Sequence, residues 1–147
     1  MFAIAAGLLF VIGGVSLAKI SNTVVTVPAP VGVPVASRVL AFRDTADGAV
    51  LVRDKDDGQT IAQFASGEGS FVRGVLRSLA RSRKAMGFND PGFYALAQYG
   101  DGRLIIVDVD TGHSIDLVAF GPTNMQSFAM LLTHDRVGVL PVSDALR

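Results

Sequence analysis

With 147 residues, 13 Lys and Arg balanced by 13 Asp and Glu, and zero formal net charge, the chain has the length of one domain and no global charge excess suited to nucleic acid. It has no cysteine, which excludes disulfides and thiolate metal sites, and no tryptophan. Half of the residues are hydrophobic, enough for a small core in addition to the apolar amino terminus.

Met1 to Ala18 reads MFAIAAGLLFVIGGVSLA, uncharged and closed by Lys19. As a helix, Phe2 to Ala18 would span about 25 Å at 1.5 Å per residue, against a hydrocarbon core of ~30 Å. Two readings compete. Ser16-Leu17-Ala18 offers the small residues of a signal-peptide cleavage site, but no Lys or Arg precedes the run. The long glycine-containing stretch favours an uncleaved transmembrane anchor over residues 1–22. Lys19, Arg38 and Arg43 follow it, so charge by itself would favour a cytoplasmic carboxyl domain. The pairs Ala3/Gly7 and Gly14/Ala18 have small-xxx-small spacing, the pattern that lets a second helix pack closely in a membrane.

Residues 23–35 contain Pro28, Pro30 and Pro34, which forbid a helix and predict an extended, semi-rigid linker ending near Ala36. A domain over residues 36–135 follows, with a tail over 136–147. It is built on a gapless repeat. Asp47-Gly48, Asp54, Gly58, Ile61 and Gly67 recur as Asp101-Gly102, Asp108, Gly112, Ile115 and Gly121, each 54 positions on. Asp-Gly pairs supply the side-chain acceptor and positive φ of tight turns. The predicted fold class is therefore α+β: an N-terminal transmembrane helix, the linker, then two pseudo-repeated βββα units (36–87 and 91–134), each an antiparallel meander followed by a helix. Strands are predicted at Ser37–Arg43, Ala49–Arg53, Gln59–Phe64, Phe93–Gln98, Arg103–Val107 and His113–Val118. Helices are predicted from Phe71 to Met86, capped by Ser70, and from Met125 to Thr133, capped by Asn124.

On the first helix Arg73, Arg77, Arg81 and Lys84 form one stripe opposite Phe71, Val72, Val75, Leu76, Leu79 and Ala80, while Arg83 lies off it. A solvated face of a core helix explains such a stripe. Yet no acidic residue occurs between Glu68 and Asp90, and unrelieved like charges cost a few tenths of a kcal/mol per pair. An anionic lipid surface or an acidic protein face would relieve them. The runs Asp54–Gly58 and Asp108–Gly112 begin like calcium loops but lack the glycine at position six and the glutamate at position twelve, so they read as turns. His113 and His134 have no ligand pattern around them, and Ser70, Ser127 and Ser143 have no nucleophile-elbow context. No catalytic, metal or cofactor site is predicted.

The segments Gly69-Ser70-Phe71-Val72-Arg73-Gly74-Val75-Leu76-Arg77, Asp101-Gly102-Arg103-Leu104 and Ile115-Asp116-Leu117-Val118-Ala119-Phe120-Gly121-Pro122-Thr123-Asn124 closely resemble the photosynthetic complex assembly proteins of purple and related phototrophic bacteria, the PuhC type. The resemblance covers nearly the whole chain. It implies a non-enzymatic, single-pass protein of the inner photosynthetic membrane with a periplasmic carboxyl domain. The expected role is to support assembly, organisation or stability of the reaction-centre–light-harvesting 1 core complex, as a transient factor or an accessory subunit. Its implied partners are reaction-centre and light-harvesting 1 subunits and the lipid bilayer, with no nucleic acid. No cofactor is implied beyond incidental contact with bacteriochlorophyll or carotenoid. The chain departs from the family in one respect, since a longer basic segment is expected before the first apolar run. The competing reading is a tethered or secreted periplasmic binding module or chaperone unrelated to photosynthesis.

Overall fold

Alternating apolar residues between glycine turns dictate short strands, and the computed structural model, which describes residues 32–133, shows them. In chain order these are β1 (Pro34–Asp44), β2 (Val50–Asp54), β3 (Thr60–Phe64), α1 (Ser70–Ala85), β4 (Tyr94–Tyr99), β5 (Leu104–Asp108), β6 (Ser114–Asp116) and α2 (Pro122–Thr133). A single 3-10 turn, Leu117–Phe120, joins β6 to α2.

All six strands form one antiparallel sheet in the order β3-β2-β1-β4-β5-β6. Tight turns keep each meander's strands adjacent, and the two meanders join where β1 lies beside β4. Leu40 pairs with Asp54, Tyr94 pairs with Asp108, and Leu40 and Tyr94 face each other across the junction. The turns bond alike: the Asp54 N–H donates to Gln59 O and the Gly58 N–H to Asp54 O, as Asp108 does to His113 and Gly112 to Asp108, all at 2.9 Å. The outer hairpins differ. β2 and β3 shift register between Val52 and Arg53, whereas β5 and β6 pair without a shift.

One sheet face carries Leu40, Phe42, Val52, Tyr94, Leu96 and Ile106, the alternate residues of their strands. Val72, Val75 and Leu79 of α1 and Phe128 and Leu131 of α2 close over it. Phe71 ties the helices together, with its ring edge-on to Phe128 at 5.9 Å and tilted against Phe120 at 5.2 Å.

This architecture corrects the predicted fold class. Among the described residues no helix is long and apolar enough to cross a membrane. α1 carries four arginines and a lysine, and α2 has only 12 residues. The transmembrane helix assigned to residues 1–22 falls outside the described residues, and the single-pass inner-membrane placement has no support in the structure. What stands in its place is a largely antiparallel sheet of six strands with two helices.

Several boundaries differ for physical reasons. The extended conformation begins within the expected linker, because Pro34 suits the first position of a strand, and an irregularity between Pro34 and Ala36 absorbs the lost donor. Ser70 is the first residue of α1 rather than its cap; Gly69, at φ 62°, holds the cap position without a side-chain bond. α2 starts at Pro122, whose missing N–H and fixed φ suit a first helical turn. Asn124 therefore lies within the helix, its Nδ2 donating to Phe120 O at 3.0 Å. The last strand stops at Asp116, whose carboxylate accepts from the Val118 N–H at 3.0 Å and starts the 3-10 turn.

Candidate functional site

α1 places its cationic residues in four different circumstances. Arg73 is tied down: Nε donates to Glu68 O at 2.8 Å, and Nη2 donates to Gly48 O at 2.8 Å and Ala65 O at 3.1 Å. It fastens the β1–β2 turn to the β3–α1 loop. Arg77 and Lys84 are exposed and have no ion pair among the described residues. Arg81 is exposed and does not line the cleft described below. The stripe exists as a spacing, but only Arg77 and Lys84 remain both available and directed at a concave surface.

The residue that sequence spacing set aside is the most constrained. Arg83 is 2% exposed. Its Nη1 donates to Asp108 Oδ1 and to Asp110 Oδ2, both at 2.8 Å, while Nη2 reaches Asp90 Oδ1 at 3.2 Å and Nε reaches Asp90 O at 3.3 Å. Burial would lower its pKa, but the hydrogen bonds it donates to Asp110 and Asp108 outweigh burial and push it further up. Asp108 is 0% exposed. Burial opposes its ionisation, yet the Thr111 N–H, the Arg83 guanidinium and the Asp110 N–H together hold its carboxyl below the usual range. Burial, with Asp108 nearby, pushes the Tyr94 hydroxyl above its ordinary value.

The matching carboxylate of the other meander, Asp54, takes its cation from a strand. Arg38 Nε lies 3.2 Å from Asp54 Oδ2, and its Nη1 donates to Leu131 O at 2.7 Å, holding the last turn of α2. Arg38 thus secures α2, as Arg83 secures the segment between α1 and β4.

The Arg83 hub forms one wall of an open cleft of about 590 Å³. Its floor is apolar, made by Phe42, Val50, Leu76, Ala80, Phe88 and Tyr94. Phe42 and Tyr94 meet edge-on at 5.9 Å. Arg77 and Lys84 line the helix side, Arg43 and Asp44 the β1 side, and Asp90 and Pro91 the loop side. Phe88 is held in place by the end of α1. The Gly87 N–H donates to Lys84 O and the Phe88 N–H to Arg83 O, both at 3.1 Å, with Gly87 at φ 90°. This is a Schellman cap, and the Phe88 ring packs 5.1 Å from the Arg83 guanidinium carbon. Gly92 lets the chain pass close to the hub, since a Cβ there would run into the Arg83 guanidinium.

Among the described residues no group of three His, Cys, Asp or Glu is placed to hold a metal ion. Ala3, Gly7, Gly14 and Ala18, expected to pack against a partner helix, lie outside the described residues. The role of Arg83 was detectable in the sequence, because Val72, Val75, Leu79 and Arg83 form one helical row. A cation continuing an apolar row needs a buried carboxylate. Asp108 supplies it on the core parity of β5, after Leu104 and Ile106.

Comparison with known proteins gives a consistent answer. The family model described as photosynthetic complex reorganisation protein PuhC matches residues 35–136. An uncharacterised 17.4 kDa protein in the puhA 5′ region of Rhodobacter capsulatus is 31% identical over 106 residues, which are 72% of this chain. The match spans 63% of that relative's own length. No solved structure matches. The matched span takes in every strand but the first residue of β1, and both helices, so the chain belongs to the PuhC family of photosynthetic complex reorganisation proteins.

Proposed function

We propose that this protein supports assembly, organisation or stability of the photosynthetic reaction-centre–light-harvesting 1 core complex as a non-enzymatic docking factor. The family match over residues 35–136 carries this reading, since its description is a protein that reorganises photosynthetic complexes. The shape of the cleft supports it. Two of the arginines beside it are engaged in holding loops: Arg73 binds backbone carbonyls, and Arg83 binds three aspartates. The open groups are an apolar floor, the cations Arg77 and Lys84, and the exposed carboxylates Asp44 and Asp90, a mixture that suits adhesion rather than proton transfer.

The test is capture of the tagged chain from gently solubilised extracts of phototrophically grown cells, read by absorption spectrum and subunit stoichiometry. Co-elution of the near-infrared core-complex bands is expected. A fixed stoichiometry identifies a resident subunit, and a small, variable fraction identifies a transient assembly factor. Elution without pigment or core-complex subunits overturns the reading.

A further inference from the structure

The cleft combines features that a simple cationic stripe lacks. Its cations come from two elements and face a shared apolar floor, rather than lying in one plane. Arg77 and Lys84 are seven residues apart on α1, about 10.5 Å along the axis, with Ala80 between them. Arg43 lines the opposite side, and its Nη1 is buried without a hydrogen-bond partner among the described residues. Arg77 and Lys84, exposed and without an ion pair among the described residues, call together with half-buried Arg43 for carboxylate oxygens. Between them lies aromatic surface, including Phe88, which is 38% exposed.

We propose that this cleft is the docking groove for an acidic segment of a partner polypeptide. An apolar side chain of that segment seats over Phe42, Tyr94 and Phe88, and flanking carboxylates meet Arg77, Lys84 and Arg43. The proposal rests on the docking-factor reading and adds to it a surface and a partner chemistry. A polypeptide fits better than a bilayer surface for two reasons. The groove is concave, so a lipid plane would touch its rim and leave its floor empty. Asp44 and Asp90 also line the cleft, where they can accept from the backbone amides that a polypeptide offers and a sheet of phosphates does not. From Ala41 to Asp44, β1 pairs with β2 alone, so this strand end borders the cleft with no second neighbour.

The test places a photo-crosslinking residue at Ala80, and separately at Phe88, in the full chain expressed in phototrophically growing cells. Adducts are identified by mass spectrometry. The expected product is a polypeptide joined within a few residues of Asp or Glu. Its yield should fall about tenfold in R77E/K84E and stay within about twofold in R81E, a reversal outside the cleft. Circular dichroism checks that both variants fold. A lipid adduct, no adduct at either position, or equal loss in R81E overturns the proposal. The two readings fail separately. Capture of the core complex without a groove adduct sinks the groove alone, whereas a charge-sensitive adduct to a protein outside that complex sinks the docking-factor reading alone.

Discussion

Arg83 shows how much one buried side chain can organise. Removing it leaves Asp108 ionised at 0% exposure with its guanidinium partner gone. Breaking a buried pair in this way costs about 3–5 kcal/mol. Arg83→Ala should therefore lower the urea midpoint far more than Arg81→Ala, which alters only an exposed position. Equal midpoints would show that the hub contributes nothing to stability. Acid sensitivity follows from the same carboxylate. Asp108 is held below the ordinary value of about 3.9, so its contribution is complete above about pH 4 and is lost as pH falls through the folded value. Stability should decline below about pH 4, less steeply in Asp108→Asn, and parallel pH profiles would contradict this. The cationic spacing of α1 was legible in the sequence, and so was the burial of Arg83, but the separate roles of the other cations were not. Arg73 acts through Gly48, 25 residues away, and only tertiary structure supplies such an acceptor.

At the scale of elements, local chemistry was the most legible part. Asp-Gly and Asp-x-x-x-Gly turns place their acceptors two to five residues away, so the strands between them fall within a residue or two of expectation. Helix starts were less legible. Ser70 and Asn124 are good cap residues, yet the backbone bends at Gly69 and Gly121 and takes both into the helices. The Gly87 cap offers a sharper test. Its φ of 90° disfavours any other residue, but an added Cβ would meet no atom within 4 Å. Gly87→Ala should therefore cost only the conformational penalty, about 1 kcal/mol, and Gly87→Asn less. Thermal melts rank the three chains, and an alanine variant as stable as the parent would refute the cap.

For the molecule as a whole, the central β1–β4 pair makes the two meanders one sheet. Both tyrosines lie in β4, at that centre. Tyrosine fluorescence and far-ultraviolet circular dichroism should therefore report one coincident urea transition. Separate transitions would mean that the meanders open independently. Sheet order was not legible in the sequence, since a repeat of 54 residues fits one sheet, two packed sheets or a partial barrel equally well. The register Leu40↔Tyr94 decides between them, and it depends on contacts between residues 54 positions apart.

The outer strands of that sheet have a consequence for how the protein behaves when crowded. At one margin β6 offers only Ser114–Asp116 before the chain curls into a 3-10 turn. At the other, the shift between Val52 and Arg53 bends the β2–β3 ladder. Strand-by-strand stacking needs a long, straight margin as template, and neither side supplies one among the described residues. The protein should thus tolerate high local concentration without forming fibrils, so that any attachment it makes depends on side chains that can be selected for or against one at a time.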